Sequence, residues 1–93
     1  MAEEIDIAVI GSGPAGMSAA VNAVSRGKSV SLFSNGSSYL QKAEKVDNYL
    51  GFWDISGEEM MQRFKSHCLA KGVEPKKGRV LNILPMGTSF MLN

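Results

Sequence analysis

The sequence predicts an α/β domain with a parallel sheet, and three observations support that prediction. Residues 5–10 end in an unbroken apolar run, which is typical of a strand buried on both faces. A second apolar and β-branched run at residues 29–33 predicts another strand. The segment between them has the spacing of an amphipathic helix. Strand, helix and strand in this order form one βαβ unit, whose strands we expect to be parallel with a right-handed crossover.

The composition limits the classes of function. The 93 residues are 44% hydrophobic and 20% charged, as in an ordinary soluble domain or a part of one. The net charge of +1 gives no reason to expect nucleic acid or a membrane as a partner. Basic residues late in the chain are interpreted as a solvated turn: Lys71, Lys76, Lys77 and Arg79.

Cys68 is the only cysteine, which excludes an intramolecular disulfide and a cysteine metal cluster. This usage predicts a reducing, cytoplasmic setting. The first residues are acidic and no long apolar stretch follows, so we expect neither a signal peptide nor a membrane span. We interpret Cys68 as a small buried hydrophobe and His67 as a solvated helix residue, and we expect no metal site.

The first helix is predicted to begin with Pro14 in its first turn and to run to about Arg26. Gly27 then provides a left-handed cap. The helix face that turns towards the sheet is predicted to contain Met17, Ala20, Val21 and Val24.

The second half of the chain predicts one more helix and three more strands. Residues 34–38 form a turn by composition, and residues 39–53 show no clear period. Ser56 and Glu59 have the spacing of a capping box, so a helix is predicted from there to Gly72. Its apolar face contains Met60, Phe64 and Cys68, with Met61 and Leu69 beside them.

Residues 73–75 are predicted to be a short third strand, parallel to the first two. Residues 79–84 and 89–93 are predicted to be strands that begin a β-meander. The two strands are joined through Pro85, Met86 and Gly87.

Three glycines form the pattern G-x-G-x-x-G between the first strand and the first helix. Gly11 permits a tight turn, Gly13 lets the backbone approach a pyrophosphate, and Gly16 lets the helix pack close to the strand. The helix N-terminus offers N–H groups and a partial positive charge to phosphates. The pattern therefore predicts a dinucleotide site, and the alternative is a tight turn that binds nothing.

The residue at the end of the second strand does not indicate which dinucleotide is bound. FAD and NAD sites normally place an acidic residue there to bind a ribose hydroxyl. Ser34 stands at this position, and it can form only a weaker, uncharged hydrogen bond.

Residues 46–64, together with "GSGPAG", resemble the flavin domain of low-molecular-weight thioredoxin reductases. The chain is also similar to the ferredoxin-reduced branch of that family, which has "NYLGF", whereas most members have proline at the position of Leu50. Some members lack the strand-end acid, so Ser34 does not exclude FAD. The residues that carry the resemblance occur in the family's order: Asp47, Asn48, Tyr49, Gly51, Phe52, Ile55, Gly57 and Glu59.

The resemblance implies a Rossmann-like, three-layer FAD/NAD(P)-binding domain with FAD as its cofactor. It implies that Ser34 and Asn35 lie near the adenosine ribose and that Val80 meets the adenine through its backbone. Leu40 and Asn48 are implied to lie near the isoalloxazine ring. The pyrophosphate is implied to lie against the glycine loop, formed by Gly11, Ser12, Gly13, Pro14, Ala15 and Gly16.

The resemblance also implies a function. The parent protein would be a thioredoxin-reductase-like enzyme that passes electrons through FAD to the disulfide of a thioredoxin-like protein. NADPH or reduced ferredoxin would be the donor, and a homodimer is expected. The family's C-x-x-C pair is absent from residues 1–93, so we interpret them as a truncated N-terminal portion without a second domain, a catalytic residue or activity of its own.

Two alternatives remain open from the sequence. One is a nicotinamide-binding Rossmann module of a dehydrogenase, because the glycine pattern occurs there too. The other is a non-enzymatic nucleotide-binding module.

Overall fold

The computed structural model describes residues 4–36 and 39–93, so the predicted turn at residues 34–38 lies partly outside the described residues. These residues form an α/β fold with a short 3₁₀ helix in the connection after the second strand, at Tyr39–Lys42. The elements in chain order are β1 (Ile7–Ile10), α1 (Pro14–Ser25), β2 (Val30–Ser34), α2 (Gly57–Ala70), β3 (Lys76–Lys77), β4 (Ile83–Met86) and β5 (Ser89–Leu92).

The first three strands form one parallel sheet in the order β1-β2-β3, which confirms the predicted βαβ unit. The predicted position of the third strand, residues 73–75, is wrong, because pairing with β2 occurs at Lys76 and Lys77. The Val73 N–H instead donates to the Cys68 carbonyl at 2.8 Å, and the Val73 side chain is buried in the core. Pro75 has no N–H to donate, so the ladder begins only after it.

The two helices begin and end where the sequence predicts. Pro14 is the first residue of α1, and Gly27 follows its end in the left-handed region at φ 79°. Ser56 caps α2, because its side chain accepts a hydrogen bond from the Glu59 N–H at 3.1 Å. Gly72, at φ 80°, follows the end of α2.

One hydrophobic core lies between the helices and β2. Leu32 of β2 is 1% exposed and packs in a cluster with residues of both helices. Val9 and Val30 pack against this cluster, and they lie on the same face of the sheet as Leu32 by strand alternation. The other buried members of the cluster are Met17, Ala20, Met61, Cys68 and Val73.

The predicted inner faces of the helices are largely confirmed. Val21, Val24 and Phe64 are partly buried against the core, and Met60 is fully buried. Leu69 differs, since it is 57% exposed although we expected it beside the apolar face.

The strands β4 and β5 form a separate antiparallel hairpin. The predicted connection through residues 85–87 is wrong, because Pro85 and Met86 belong to β4 and the turn is made by Gly87 and Thr88. Gly87 adopts φ 75°, which a two-residue hairpin turn requires. Pro85 is tolerated because each strand of a two-stranded sheet has an edge that needs no N–H. Phe90 on this hairpin is 69% exposed.

The described residues offer no candidate for a membrane-spanning helix or for a cluster of metal ligands. Neither α-helix has the length and apolar character that a membrane crossing requires. No group of three or more His, Cys, Asp or Glu side chains within the described ranges could hold a metal ion.

Candidate dinucleotide-binding site

The glycine turn follows β1 directly and is tied to β2. Gly11 adopts φ 107°, a conformation that L side chains rarely adopt. Its N–H donates to the Phe33 carbonyl at 2.9 Å, which extends the β1–β2 pairing into the turn. The chain can therefore leave β1 and enter α1 within a few residues, at the carboxyl edge of the sheet.

Gly16 allows α1 to pack closely against that turn. A Cβ atom at this position would lie 1.9 Å from the Gly11 carbonyl oxygen, far inside van der Waals contact, and 3.4 Å from the Val9 side chain. The position thus has no room for any side chain. This geometry agrees with the close helix–strand packing assigned to the third glycine of the pattern.

The N-terminus of α1 has no cap from its own side chains. The N-cap residue is Gly13, in an extended conformation at φ −72° and ψ −177°, and the first turn contains no acidic residue. The N–H groups of Ala15 and Gly16 have no acceptor within the helix, because they belong to its first turn. These groups and the helix dipole favour an anion at this point.

A cavity of about 750 Å³ lies at the carboxyl ends of β1, β2 and β3. Three of the predicted site residues line it, namely Ser12 after β1, Ser34 at the end of β2 and Asn35. Ligand pockets in proteins have roughly this size, about 300–1,000 Å³. The sheet's carboxyl edge is also where open α/β folds bind nucleotides.

The other predicted cofactor residues lie outside the lining of this cavity. Pro14 lines a smaller cavity of about 200 Å³ between the helices. Leu40, in the 3₁₀ helix, packs against the hydrophobic core, and Asn48 is exposed in the loop before α2. Val80 lies three residues after the end of β3 and is half-buried. Their contacts with a cofactor stay predictions.

The loop that carries Asn48 is held at both of its ends. Val46 and Ile55 pair in an antiparallel bridge, with the Val46 N–H 2.6 Å from the Ile55 carbonyl. The Asp47 carboxylate accepts a hydrogen bond from the Asp54 N–H at 3.0 Å, which supports Asp54 at φ 52°. These bonds fix the part of the chain that carries the resemblance to flavin domains.

Aromatic contacts attach the same loop to α2. The ring of Phe64 lies 5.8 Å from the rings of both Tyr49 and Phe52. The Tyr49 and Phe52 rings are 6.0 Å apart in an edge-to-face arrangement. Such pairs stabilise packing by about 0.5–1.5 kcal/mol beyond the area that they bury.

Four charged residues line the cavity without a local sequence pattern that indicates it. Lys65, Lys77 and Arg79 line the cavity together with Glu74. The basic residues of this region were interpreted as a solvated turn, and nothing local distinguishes them from one. Only the position of β3 would have indicated that residues 77–79 reach the carboxyl edge of the sheet.

Cys68 and His67 are placed as predicted. Cys68 is 1% exposed, its Sγ lies 3.9 Å from the Met17 carbonyl oxygen, and burial raises the pKa of its thiol. A neutral buried thiol is a poor nucleophile. The His67 residue is exposed on α2.

The parallel sheet, the glycine turn and the cavity define an α/β, Rossmann-like dinucleotide-binding domain. A sequence-family model described as "FAD binding domain" matches residues 6–44. The chain superposes on a ferredoxin-flavin thioredoxin reductase from Clostridium acetobutylicum with a TM-score of 0.92 and 47% identity, over 99% of this chain and 33% of that one. The chain thus resembles the FAD-binding part of low-molecular-weight thioredoxin reductases.

Two characterised relatives agree with this resemblance. The thioredoxin reductase of Bacillus subtilis is 33% identical over 88 residues, which are 90% of this chain and 28% of the relative. That of Helicobacter pylori is 30% identical over 92 residues, which are 95% of this chain and 30% of the relative. The chain therefore spans a third or less of the length of the proteins that it matches.

Proposed function

We propose that residues 1–93 are the FAD-binding portion of a flavin-dependent disulfide oxidoreductase of the thioredoxin reductase type. The observation that carries the proposal is the placement of an uncapped helix N-terminus and a glycine turn beside a cavity of about 750 Å³. The 47% identity to a ferredoxin-flavin thioredoxin reductase over 99% of the chain supports flavin rather than nicotinamide as the ligand.

The residues at the turn fit a pyrophosphate. Gly11, at φ 107°, and the N-cap Gly13 carry no side chain before α1, and Gly16 has no room for one. Donors supplied by the backbone suit phosphate oxygens, which need hydrogen bonds and positive potential but no specific side chain. The absence of acidic residues from the first turn of α1 removes a source of repulsion.

Each part of the site has a separate task in this proposal. The N–H groups of Ala15 and Gly16 hold the pyrophosphate, and Ser34 and Asn35 lie beside the adenosine ribose. Val80 meets the adenine through its backbone, while Leu40 and Asn48 lie towards the isoalloxazine ring. Bound FAD supplies reversible electron transfer, and these residues bind and orient it.

The wider function is proposed from the relatives. They are named thioredoxin reductases, so we propose that a thioredoxin-like protein disulfide is the electron acceptor. Two structural neighbours are named for ferredoxin, and we propose that the donor is either reduced ferredoxin or NADPH. We further propose a homodimer in the cytoplasm, with the disulfide-reducing groups outside residues 1–93.

The test is the flavin content of the purified protein that contains this chain. Replacing Gly13 with valine puts a branched side chain beside the expected pyrophosphate, and FAD retention should fall sharply. The control is Ala19→Val, which adds the same side chain to the exposed side of α1 and should retain FAD. The absorbance spectrum measures bound flavin directly.

Two outcomes would contradict the proposal. A Gly13→Val protein with a full complement of FAD would show that this loop does not hold the pyrophosphate. A wild-type protein that retains a nicotinamide dinucleotide and no flavin would instead support a dehydrogenase module.

A further inference from the structure

The register of the parallel sheet places Lys77 beside Ser34. The two residues are ladder partners at the carboxyl ends of β3 and β2. The Gly78 N–H donates to the Ser34 carbonyl at 3.0 Å, which continues the pairing beyond β3. Neighbouring strands lie about 4.8 Å apart, and paired residues point to the same face of a sheet. The side chains of Lys77 and Ser34 therefore start close together.

The preceding lysine shows which face of the sheet Lys77 occupies. Lys76 pairs with Phe33, and its ammonium donates a hydrogen bond to the Ser31 hydroxyl at 3.1 Å. Because side chains alternate along a strand, Lys77 lies on the opposite face, where it lines the large cavity together with Ser34. Lys77 forms no ion pair with another residue of the ranges 4–36 and 39–93. Its charge is therefore available to a ligand in the cavity.

Ser34 stands where dinucleotide folds usually have a carboxylate that accepts hydrogen bonds from the ribose hydroxyls. The Ser34 hydroxyl makes only long contacts, 3.5 Å from the backbone N and O of Gly36. A ribose hydroxyl can also accept a hydrogen bond, and a lysine ammonium can donate one. A donor at this edge of the sheet can thus take the place of the usual acceptor.

The other charged residues of the cavity lining lie further from the end of β2 in the fold. Glu74 is the acidic residue among the described lining residues, and it precedes β3, at the amino end of that strand. Lys65 comes from α2, and Arg79 follows β3 outside the ladder. Of these four charged residues, Lys77 is the one that pairs with the last residue of β2.

We infer that Lys77 donates a hydrogen bond to a hydroxyl of the adenosine ribose of FAD, in place of the strand-end carboxylate of other dinucleotide folds. The inference rests on the proposed function, because it assumes that FAD binds with this ribose beside Ser34. The 2′ and 3′ hydroxyls of that ribose are free in FAD, so both can accept. The contact should tighten FAD binding by roughly 3- to 10-fold, because it is charge-assisted but exposed to solvent.

The test compares FAD with its 2′-deoxyadenosine and 3′-deoxyadenosine analogues. The purified protein that contains this chain is stripped of flavin, and each compound is titrated while the flavin fluorescence is followed. We expect the dissociation constant of at least one deoxy analogue to exceed that of FAD by roughly 3- to 10-fold.

The failure of this inference and the failure of the proposed function look different. Equal dissociation constants for the three compounds would overturn the inference about Lys77 and leave the FAD site in place. A protein that binds neither FAD nor its analogues would contradict both.

Matched lysine variants assign the hydroxyl contact to one side chain. Lys77→Met keeps an aliphatic side chain of similar length and removes the ammonium, so FAD and its analogues should bind alike. The control, Lys65→Met, makes the same change on the α2 side of the cavity and should keep the preference for FAD. Both lysines are exposed, so we expect little change in folding. A preference that survives Lys77→Met, or that disappears in Lys65→Met, would overturn the inference.

The variant Glu74→Gln tests the carboxylate of the cavity as an alternative partner of the ribose. We expect this variant to keep the preference for FAD over the deoxy analogues. Loss of the preference would assign the ribose contact to Glu74, and the inference would be wrong.

A carboxylate at the end of β2 should replace Lys77. In the Lys77→Met protein, Ser34→Glu supplies the acceptor that dinucleotide folds normally use for the ribose hydroxyls. We expect the preference for FAD over the deoxy analogues to return. A double variant that still binds the three compounds alike would show that the ribose does not lie at the end of β2, which would overturn the inference.

Discussion

The two helices of this chain begin in opposite ways. The N-terminus of α2 is satisfied by its own chain, because Ser56 caps it and Glu58 and Glu59 place negative charge in its first turn. The N-terminus of α1 begins at Gly13 with neither a side-chain cap nor an acidic residue. The side chain of Ser56 accepts a hydrogen bond from an N–H group at the start of α2. No side chain of the described residues caps the N–H groups at the start of α1, so they are available to a ligand. The comparison separates a helix start that its own side chains stabilise from one that lacks such a cap, and we propose that the second holds an anion.

The starts of both helices depend on glycine for close packing, and removing these glycines should have the largest effect. A Cβ atom at Gly16 would lie 1.9 Å from the Gly11 oxygen, and one at Gly57 would lie 1.7 Å from the Leu40 oxygen. We expect Gly16→Ala and Gly57→Ala each to lower the free energy of unfolding by about 3 kcal/mol or more, because backbone atoms must move. Urea denaturation measures this.

The flavin content of the same two variants tests whether the starts of α1 and α2 differ in their importance for FAD binding. Per folded molecule, we expect FAD to be lost from Gly16→Ala and retained by Gly57→Ala. The control for stability is Gly78→Ala, since a Cβ atom there meets nothing within 4 Å and the φ angle is not in the left-handed region. Equal flavin loss in both helix variants would contradict a pyrophosphate site that depends on the start of α1 more than on the start of α2.

Removing the cap of α2 should have a smaller effect. We expect Ser56→Ala to lower the free energy of unfolding by about 1 kcal/mol, because the Glu59 N–H loses its acceptor. FAD retention should not change. The matched control is Ser12→Ala before α1, which should change stability by less than about 0.5 kcal/mol. A cost for Ser12→Ala equal to that for Ser56→Ala would show that α1 has a side-chain cap after all.

The smallest effect concerns the hydrogen bonds between Asp6, just before β1, and Ser29, just before β2. The Asp6 carboxylate accepts hydrogen bonds from the Ser29 N–H at 2.9 Å and the Ser29 hydroxyl at 3.1 Å. These bonds, the backbone one above all, lower the pKa of Asp6 below its ordinary value of 3.8. Because the folded-state pKa is the lower one, the stabilisation is present above about pH 4 and is lost as the pH falls through the folded value.

The variant Asp6→Asn removes this titration. Urea midpoints measured from neutral to acidic pH should fall slightly more for the wild type than for Asp6→Asn. The difference should be small because Asp6 is exposed. Parallel curves for the two proteins would contradict a stabilising role for the Asp6 carboxylate.

The features that the sequence predicted correctly depend on neighbouring residues. The cap at Ser56, the end of α1 at Gly27 and the glycine turn each follow from a short pattern with a local physical cause. The apolar face of α1 follows from helical spacing alone. These elements could be located without knowledge of the rest of the molecule.

The features that the sequence did not predict depend on distant residues. The strand β3 begins later in the chain than predicted. The Val73 side chain is buried in the core, and its N–H donates to the Cys68 carbonyl near the end of α2. The charged lining of the cavity forms only when the ends of β2 and β3 meet, which brings Lys77 and Arg79 beside Ser34. The packing of Leu40 on the core was likewise not indicated by the sequence, and its predicted position near the flavin stays a prediction.

We propose that the N-terminus of α1 binds the pyrophosphate of FAD, and the variant Gly13→Asp tests this proposal. Position 13 has extended backbone angles that aspartate adopts without strain. An aspartate there would cap the N–H groups of Ala15 or Gly16 and repel the pyrophosphate. We predict a urea midpoint equal to or above that of the wild type, together with little or no copurified FAD. A Gly13→Asp protein that keeps its full complement of FAD would contradict it.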